Sequence, residues 1–388
     1  MLRAVGLALG LAIASPAFAQ HAPITNRDYA IDLYDGVALG DSTMVGMGGA
    51  GEADVIGTAG VLLNPSAIAV RPTMDHDAWS FDYHLDWLTG SFSSDYDNNG
   101  QVATGGASMI SGGLGGRYHD WGFATTITAQ SAPIGDSDTT HLSGEALRVR
   151  FVVARWFPSL DLAVGAGVQV AQFNLDQDND TNHPLFRVSG LGAIAGATWL
   201  PAMTSLRLAA SIDGPVDGNQ VDAQDCDPAN CRGYILPDHV RAPWRAVGGV
   251  AYRLADTAWN QQVPGPFRDE RALTFALDTV VTGGTPNGYG IEAFGMQQLQ
   301  RSGRHSAVSV RGGLDFEAIP GRLRLRAGSY WEPARFIDVD GRLHGTFGID
   351  VRVFAFQLWG RPRRGRISAL ADIASRYRNI GASIGFWH

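Results

Sequence analysis

From Asp77 to the C-terminus the chain alternates between segments of about ten residues, in which every second residue is apolar, and clusters of Gly, Asp, Asn and Pro. A repeat of two is that of an extended strand, whose side chains point alternately to opposite faces. From Arg322 to Tyr330, Leu323, Leu325 and Ala327 fall on one face, while Arg322, Arg324, Arg326 and Tyr330 fall on the other. The same split sets Leu147, Val149, Phe151 and Val153 against Arg148 and Arg150, and Phe347, Ile349, Val351 and Val353 against Asp350 and Arg352. Such strands need water on one side and an oily medium on the other. A soluble sandwich with its charged faces outward would meet that need, and so would a transmembrane barrel with its charged faces inward. Trp79, Trp87, Trp121, Trp156, Trp199, Trp244, Trp331, Trp359 and Trp387 favour the barrel, because they stand near segment ends beside turn residues, as interfacial girdles do.

The expected fold class is therefore all-β, a transmembrane antiparallel β-barrel. Strands are expected to start near Trp79, Ser108, Gly122, Ala146, Leu160, Arg187, Leu206, Pro243, Leu273, Gly288, Ala307, Arg322, Thr346 and Ile367. That makes about fourteen, an even number as single-chain bacterial barrels have. Ile367 to His388 reads as one long strand or as two short ones around Arg378-Asn379, which moves the count by two. The polar stretches Ser93 to Gly100, Asp136 to Thr140, Asp176 to Asn182 and Asp213 to Asp238 suit long extracellular loops, and Pro201 to Ser205 a short periplasmic join.

Residues 1–19 have the build of an export signal, with Arg3, an apolar run from Ala4 to Ala14 and a small-residue site at Ala17-Phe18-Ala19. Cleavage after Ala19 would leave Gln20 first and send the chain to the bacterial outer membrane. Cys226 and Cys231 lie in a polar loop of an exported chain, so a disulfide is expected between them. Zinc would need further ligands that His239 alone does not supply. Neither metal nor cofactor is expected. All 30 basic residues are Arg, they form no cluster, and the net charge is -8, so nucleic acid is not an expected partner.

Between signal and first strand, residues 20–76 are rich in small residues and do not alternate, notably Gly46-Met47-Gly48-Gly49-Ala50-Gly51 and Gly57 to Ala69. They cannot form a lipid-facing strand, and the simplest place for them is inside a barrel formed by residues 77–388. Gly46, Gly48 and Gly51 match a dinucleotide-binding glycine pattern, but without the strand, helix and acidic residue that give the pattern its meaning. Asn64-Pro65 is expected to end a short helix begun near Thr58, since the residue before proline is pushed out of the α region.

Met47-Gly48-Gly49-Ala50 followed by Asn64-Pro65-Ser66 resembles the N-terminal element of the long-chain fatty acid transporter family, the FadL-like porins, in which Ala is commoner than Ser at the last position. The resemblance implies a monomeric fourteen-stranded barrel with an N-terminal hatch. It implies partners that are hydrophobic or amphipathic small molecules and outer-membrane lipids, with Met47, Gly48, Gly49, Ala50, Asn64 and Pro65 at the hatch and ligand. It also admits an outer-membrane barrel that anchors or shuttles exported proteins. The histidines, among them His84, His119, His141, His183, His239, His305 and His344, show no catalytic motif, and no enzymatic activity is expected. Arg148, Arg150, Arg322, Arg324, Arg326 and Arg352 are candidates to line the lumen. There they either pair with acids such as Asp278, Glu292, Asp315 and Asp350 or receive a ligand carboxylate as a bidentate pair.

Overall fold

The computed structural model describes residues 22–33, 40–90, 94–134, 141–177, 184–223, 225–337 and 339–387. The export signal and its cleavage point lie outside the described residues, as do Ser93 and most of two expected loops. Fourteen antiparallel strands form one closed ring. In chain order they are β1 (Trp79–Gly90), β2 (Ala107–Tyr118), β3 (Trp121–Ile134), β4 (Leu142–Phe157), β5 (Leu162–Gln177), β6 (Phe186–Trp199) and β7 (Leu206–Asp213). The second half comprises β8 (Arg245–Ala255), β9 (Ala272–Thr282), β10 (Ala307–Ile319), β11 (Leu323–Glu332), β12 (Arg342–Leu358), β13 (Arg361–Ala374) and β14 (Tyr377–Phe386). Each strand pairs with its chain neighbours, and β14 closes the ring on β1 through a ladder from Ile380–Thr89 to Gly385–His84.

The strand number is as expected: one wrong start is offset by the two-strand reading of the last region, which is the one that holds. Gly288 starts no wall strand: Gly288–Tyr289 belongs to a small sheet in a loop. The last region is two wall strands, β13 and β14, turning at Ala374–Tyr377.

Side-chain parity follows the sequence pattern. Leu147, Phe151 and Val153 of β4, Leu325 of β11, and Phe347, Ile349, Val351 and Val353 of β12 are exposed on the outer surface, whereas Arg150, Arg326 and Asp350 are buried inside. A continuous apolar outer band is costly in water and fits a lipid environment. Trp79, Trp87, Trp121, Trp199, Trp331 and Trp359 are exposed on that band, but Trp387 is buried, with the Arg324 guanidinium 4.7 Å over its ring. Arg322 also departs from expectation. It precedes β11 at a turn and is exposed, so it does not line the lumen.

Short connections, such as Tyr118 to Trp121, predominate at one end of the ring and long ones at the other; the exceptions are the long connection between β8 and β9 at the first end and the tight turn between β13 and β14 at the second. At the long-loop end Ala30–Asp32 forms a four-stranded sheet with Val216–Asp217, His239–Ala242 and Gly288–Tyr289. Buried Asp32 anchors this sheet by accepting from the Arg335 guanidinium at 3.0 Å. Cys226 and Cys231 are disulfide-bonded in the loop after β7, with Cα atoms 5.1 Å apart.

From there the chain runs the length of the ring before β1 begins. It forms α1 (Ser42–Gly46), α2 (Gly57–Gly60) and a 3-10 turn at Pro65–Ala69. Through these elements and the residues between them it reaches strands all round the closed wall, from β1 to β6 by α2 and the 3-10 turn and from β11 to β14 by α1. On the remaining side it meets β7 at Ser211, β9 at Asp278 and β10 at Arg311. A segment that touches opposite sides of a closed wall lies within it.

Candidate ligand cavity

The inner segment is seated by polar bonds from its backbone to wall side chains. The carboxylate of Asp278 accepts the N–H groups of Gly51 and Glu52, both at 2.8 Å. Asp86 accepts Ser42 N–H at 3.1 Å and its hydroxyl at 2.7 Å, and Asp82 accepts Thr58 N–H at 2.6 Å. In the other direction Arg311 donates to the Gly49 carbonyl at 3.2 Å, and Arg150 to the Leu62 carbonyl at 2.9 Å. Backbone groups without helix or sheet partners thus find partners on the wall, as buried polar groups require.

The wall is glycine-lined where the segment comes closest. A Cβ on Gly165 of β5 would stand 2.4 Å from the Pro65 carbonyl, and one on Gly196 of β6 would stand 2.2 Å from Asn64 Oδ1. Gly48 is itself constrained, with φ +67 and space for a Cβ only 2.8 Å from Ser329 N. Asn64 caps the 3-10 turn, its Oδ1 accepting from Ser66 N–H at 2.9 Å, while its amide donates to Glu52 at 2.9 Å. The expected helix end at Asn64-Pro65 is therefore also a helix start, with Pro65 in the first turn where its missing N–H costs nothing.

Two cavities lie on either side of this segment. The larger, about 300 Å³, is on the long-loop side. Val45 and Leu62 form its floor, Leu33 lines it from the long-loop sheet, and Leu88, Met109 and Phe173 form apolar wall. Arg148 and Arg150 stand on one side of it, and Tyr330, Tyr377 and His344 on another. His344 is held between Asp372 and Glu332, at 2.8 Å each, and Tyr330 donates to Asp372 at 2.8 Å, so this polar wall is rigid. At the mouth, Glu292 of α3 (Ile291–Gly295) accepts from the Asn99 side chain. Burial is the main cause that pushes the Glu292 carboxyl up to about 7.

The smaller cavity, about 150 Å³, lies towards the short-turn end, and its lining mixes arginines and carboxylates with apolar residues such as Met44, Ile56 and Trp259. There Arg324 pairs with Glu317 at 3.1 Å, and Arg326 with Asp315 at 2.7 Å and Asp350 at 2.6 Å. Of the expected lumen arginines, Arg148 and Arg150 reach the larger cavity, Arg324 and Arg326 the smaller, and Arg352 is half-buried beside a register shift in β12. Met47, Gly48, Gly49, Ala50, Asn64 and Pro65 line neither cavity and sit in the packing between segment and wall. Asp278 pairs with the inner segment, and Glu292 with a loop asparagine, rather than with arginine as expected.

A FadL homologue of Pseudomonas aeruginosa is 12% identical and superposes with a TM-score of 0.54, covering 95% of this chain and 98% of that one. It has the FadL-type fold. The monoaromatic hydrocarbon channel CymD shares that FadL-type fold with a TM-score of 0.55 and 14% identity, covering 91% of this chain and 98% of the other. The P. putida toluene transporter TodX gives 0.53 and 15%, with the same coverage of 91% and 98%. No protein-family model and no curated relative matches the sequence. The likeness is one of fold; the inner segment and the residues around the cavities are features of this chain.

Proposed function

We propose that this chain is an outer-membrane channel for hydrophobic or amphipathic small molecules, which cross by facilitated diffusion. The observation that carries the proposal is the cavity of about 300 Å³, enclosed by the wall and floored by the inner segment. Its apolar side, Leu88, Met109 and Phe173, suits a hydrocarbon body, and Arg148 on another side suits a carboxylate. Long-chain fatty acids are one such class. Toluene and other monoaromatics are the second, because structures of the same fold are a toluene transporter and a monoaromatic hydrocarbon channel. Residues 20–76 act as the hatch: the stretch from Asp41 to Ala69 stands between the two cavities, and a ligand passes only when it yields. A barrel that only anchors exported proteins would need no enclosed oily space, so the cavity favours transport.

The test is uptake of a fluorescent long-chain fatty acid and of radiolabelled toluene by cells lacking their own transporter. The chain should raise uptake of at least one, and Val45→Trp, which fills the cavity floor, should abolish the gain while heat-modifiable migration shows a folded barrel. If the unmutated chain moves neither probe, the transport reading fails.

A further inference from the structure

In the smaller cavity almost every charge has a counterion. Arg253 and Arg268 share Glu270 at 3.3 and 2.6 Å, and Arg366 meets Asp350 at 3.2 Å, in addition to the Arg324 and Arg326 pairs above. Arg207 of β7 does not follow this pattern. It is 1% exposed and lines the cavity, yet among the described residues no carboxylate lies within 4.0 Å of it. Its Nη1 has no hydrogen-bond partner.

The side chain is nonetheless firmly held. Nε donates to Asn260 Oδ1 at 2.9 Å, and the guanidinium lies 3.8 Å from the centre of the Trp259 ring. Asn260 is fixed in turn by its amide, which donates to the carbonyls of Pro201 at 3.1 Å and Leu206 at 2.9 Å. Nε and one ring face therefore orient the group beside the cavity it lines, with Nη1 left buried and without a hydrogen-bond partner. A guanidinium cannot shed its proton to escape burial, so a buried one normally pairs. Asp54 of the inner segment lines the same cavity and has no ion pair among the described residues, leaving it the one acidic group there to face Arg207 without a partner of its own. The guanidinium is thus held in place with no carboxylate of the wall as its counterion.

We infer that Arg207 receives the carboxylate of an anionic amphiphile in the cavity below the hatch, with Asp54 competing for the same guanidinium. The site holds the head group by a bidentate pair after the ligand has passed the inner segment. This rests on the transport reading for its substrate class, but its test does not depend on uptake. Trp259 supplies a local reporter, because an anion drawn to the stacked guanidinium alters the emission of that indole.

Folded full-length barrel in zwitterionic detergent would be titrated with octanoate, octanol and inorganic phosphate. The Trp259 contribution would be isolated by difference from Trp259→Phe. Octanoate should give a saturable change, octanol none, and phosphate a change at least tenfold weaker in affinity. Arg207→Gln should weaken the octanoate response at least tenfold, and Arg207→Lys, which keeps the charge but not the fork, by less. Asp54→Asn should tighten it severalfold, and this variant serves alone if Arg207→Gln does not fold. An octanoate response unchanged in Arg207→Gln, or in Asp54→Asn where that stands alone, overturns the site. Phosphate binding as tight as octanoate overturns the amphiphile as its ligand. A normal Trp259 response with no cellular uptake would leave the site standing and remove the transport reading instead.

Discussion

Replacing Asp278 by Leu should release the inner segment while leaving the wall intact. Asp278 is 1% exposed and its carboxylate holds the N–H groups of Gly51 and Glu52 at 2.8 Å. Leucine has similar volume, leaves little room for a water, and offers no acceptor. Two buried donors then lose their partner, each at about 1 to 3 kcal/mol, for a total near 4 kcal/mol. The wall strands do not share this loss, since the ladders joining β9 to β8 and β10 use backbone groups alone. Hydrogen exchange read by mass spectrometry would show it directly. Four kcal/mol corresponds to roughly a thousandfold faster exchange, at about 1.4 kcal/mol per decade, in peptides covering residues 44–56. Peptides from β8 to β10 should be unchanged, and Asp278→Asn, which keeps a neutral acceptor, should fall between. Unchanged protection of residues 44–56 in Asp278→Leu would show that the carboxylate does not secure the segment.

Leu325→Arg, on the outer face of β11, should cost about 2 to 4 kcal/mol in urea unfolding if the site is near the midplane. Thr128→Arg, beside the larger cavity, should cost much less, and equal losses would refute the assignment of faces. The Glu292 carboxyl has a raised pKa in the fold, so the native loop binds more protons than the unfolded one between about 4.5 and 7 and loses stability as pH rises through that window. Exchange of residues 291–300 should therefore be slower at pH 5 than at pH 8 after correction for intrinsic rates, with the difference removed in Glu292→Gln. Protein taken from the envelope should show Cys226 and Cys231 blocked to alkylation until reductant is added, and both thiols labelled beforehand would refute the pairing.

The wall was legible in the sequence because its side-chain period is a local property. Leu206-Arg207-Leu208 in β7 shows the same alternation as β4 and β11, and that parity puts Arg207 inside. The failure at Gly288 has a local cause too: a short apolar stretch has the look of a strand, but in the fold it carries α3 and the bridge to the N-terminal sheet. Nothing local reveals the cavities. Leu88, Phe173 and Tyr377 come together only when β1, β5 and β14 close into one ring. The importance of Asp278, Asp82 and Asp86 was likewise hidden, since an acidic residue on an inward face reads as a wall charge until the segment that uses it is in place. The small residues of Met47-Gly48-Gly49-Ala50 did point to close packing, and that is where the structure puts them.

The course of the N-terminal chain also constrains how the molecule is made. Ala22–Pro23 pairs with Gln298–Leu299 beyond one rim of the ring, and Trp79 begins the wall at the opposite rim. The polypeptide is thus threaded through its own hoop before the hoop's first stave is laid. The seam joining first and last staves is a ladder of six residue pairs, against sixteen between β4 and β5. If the hoop closed empty, the thread would have to be drawn through a bore already crowded by Arg326, Arg311 and their neighbours. A late seam lets the staves wrap round a thread already in position, with Asp86 on the first stave receiving Ser42 as the last one arrives.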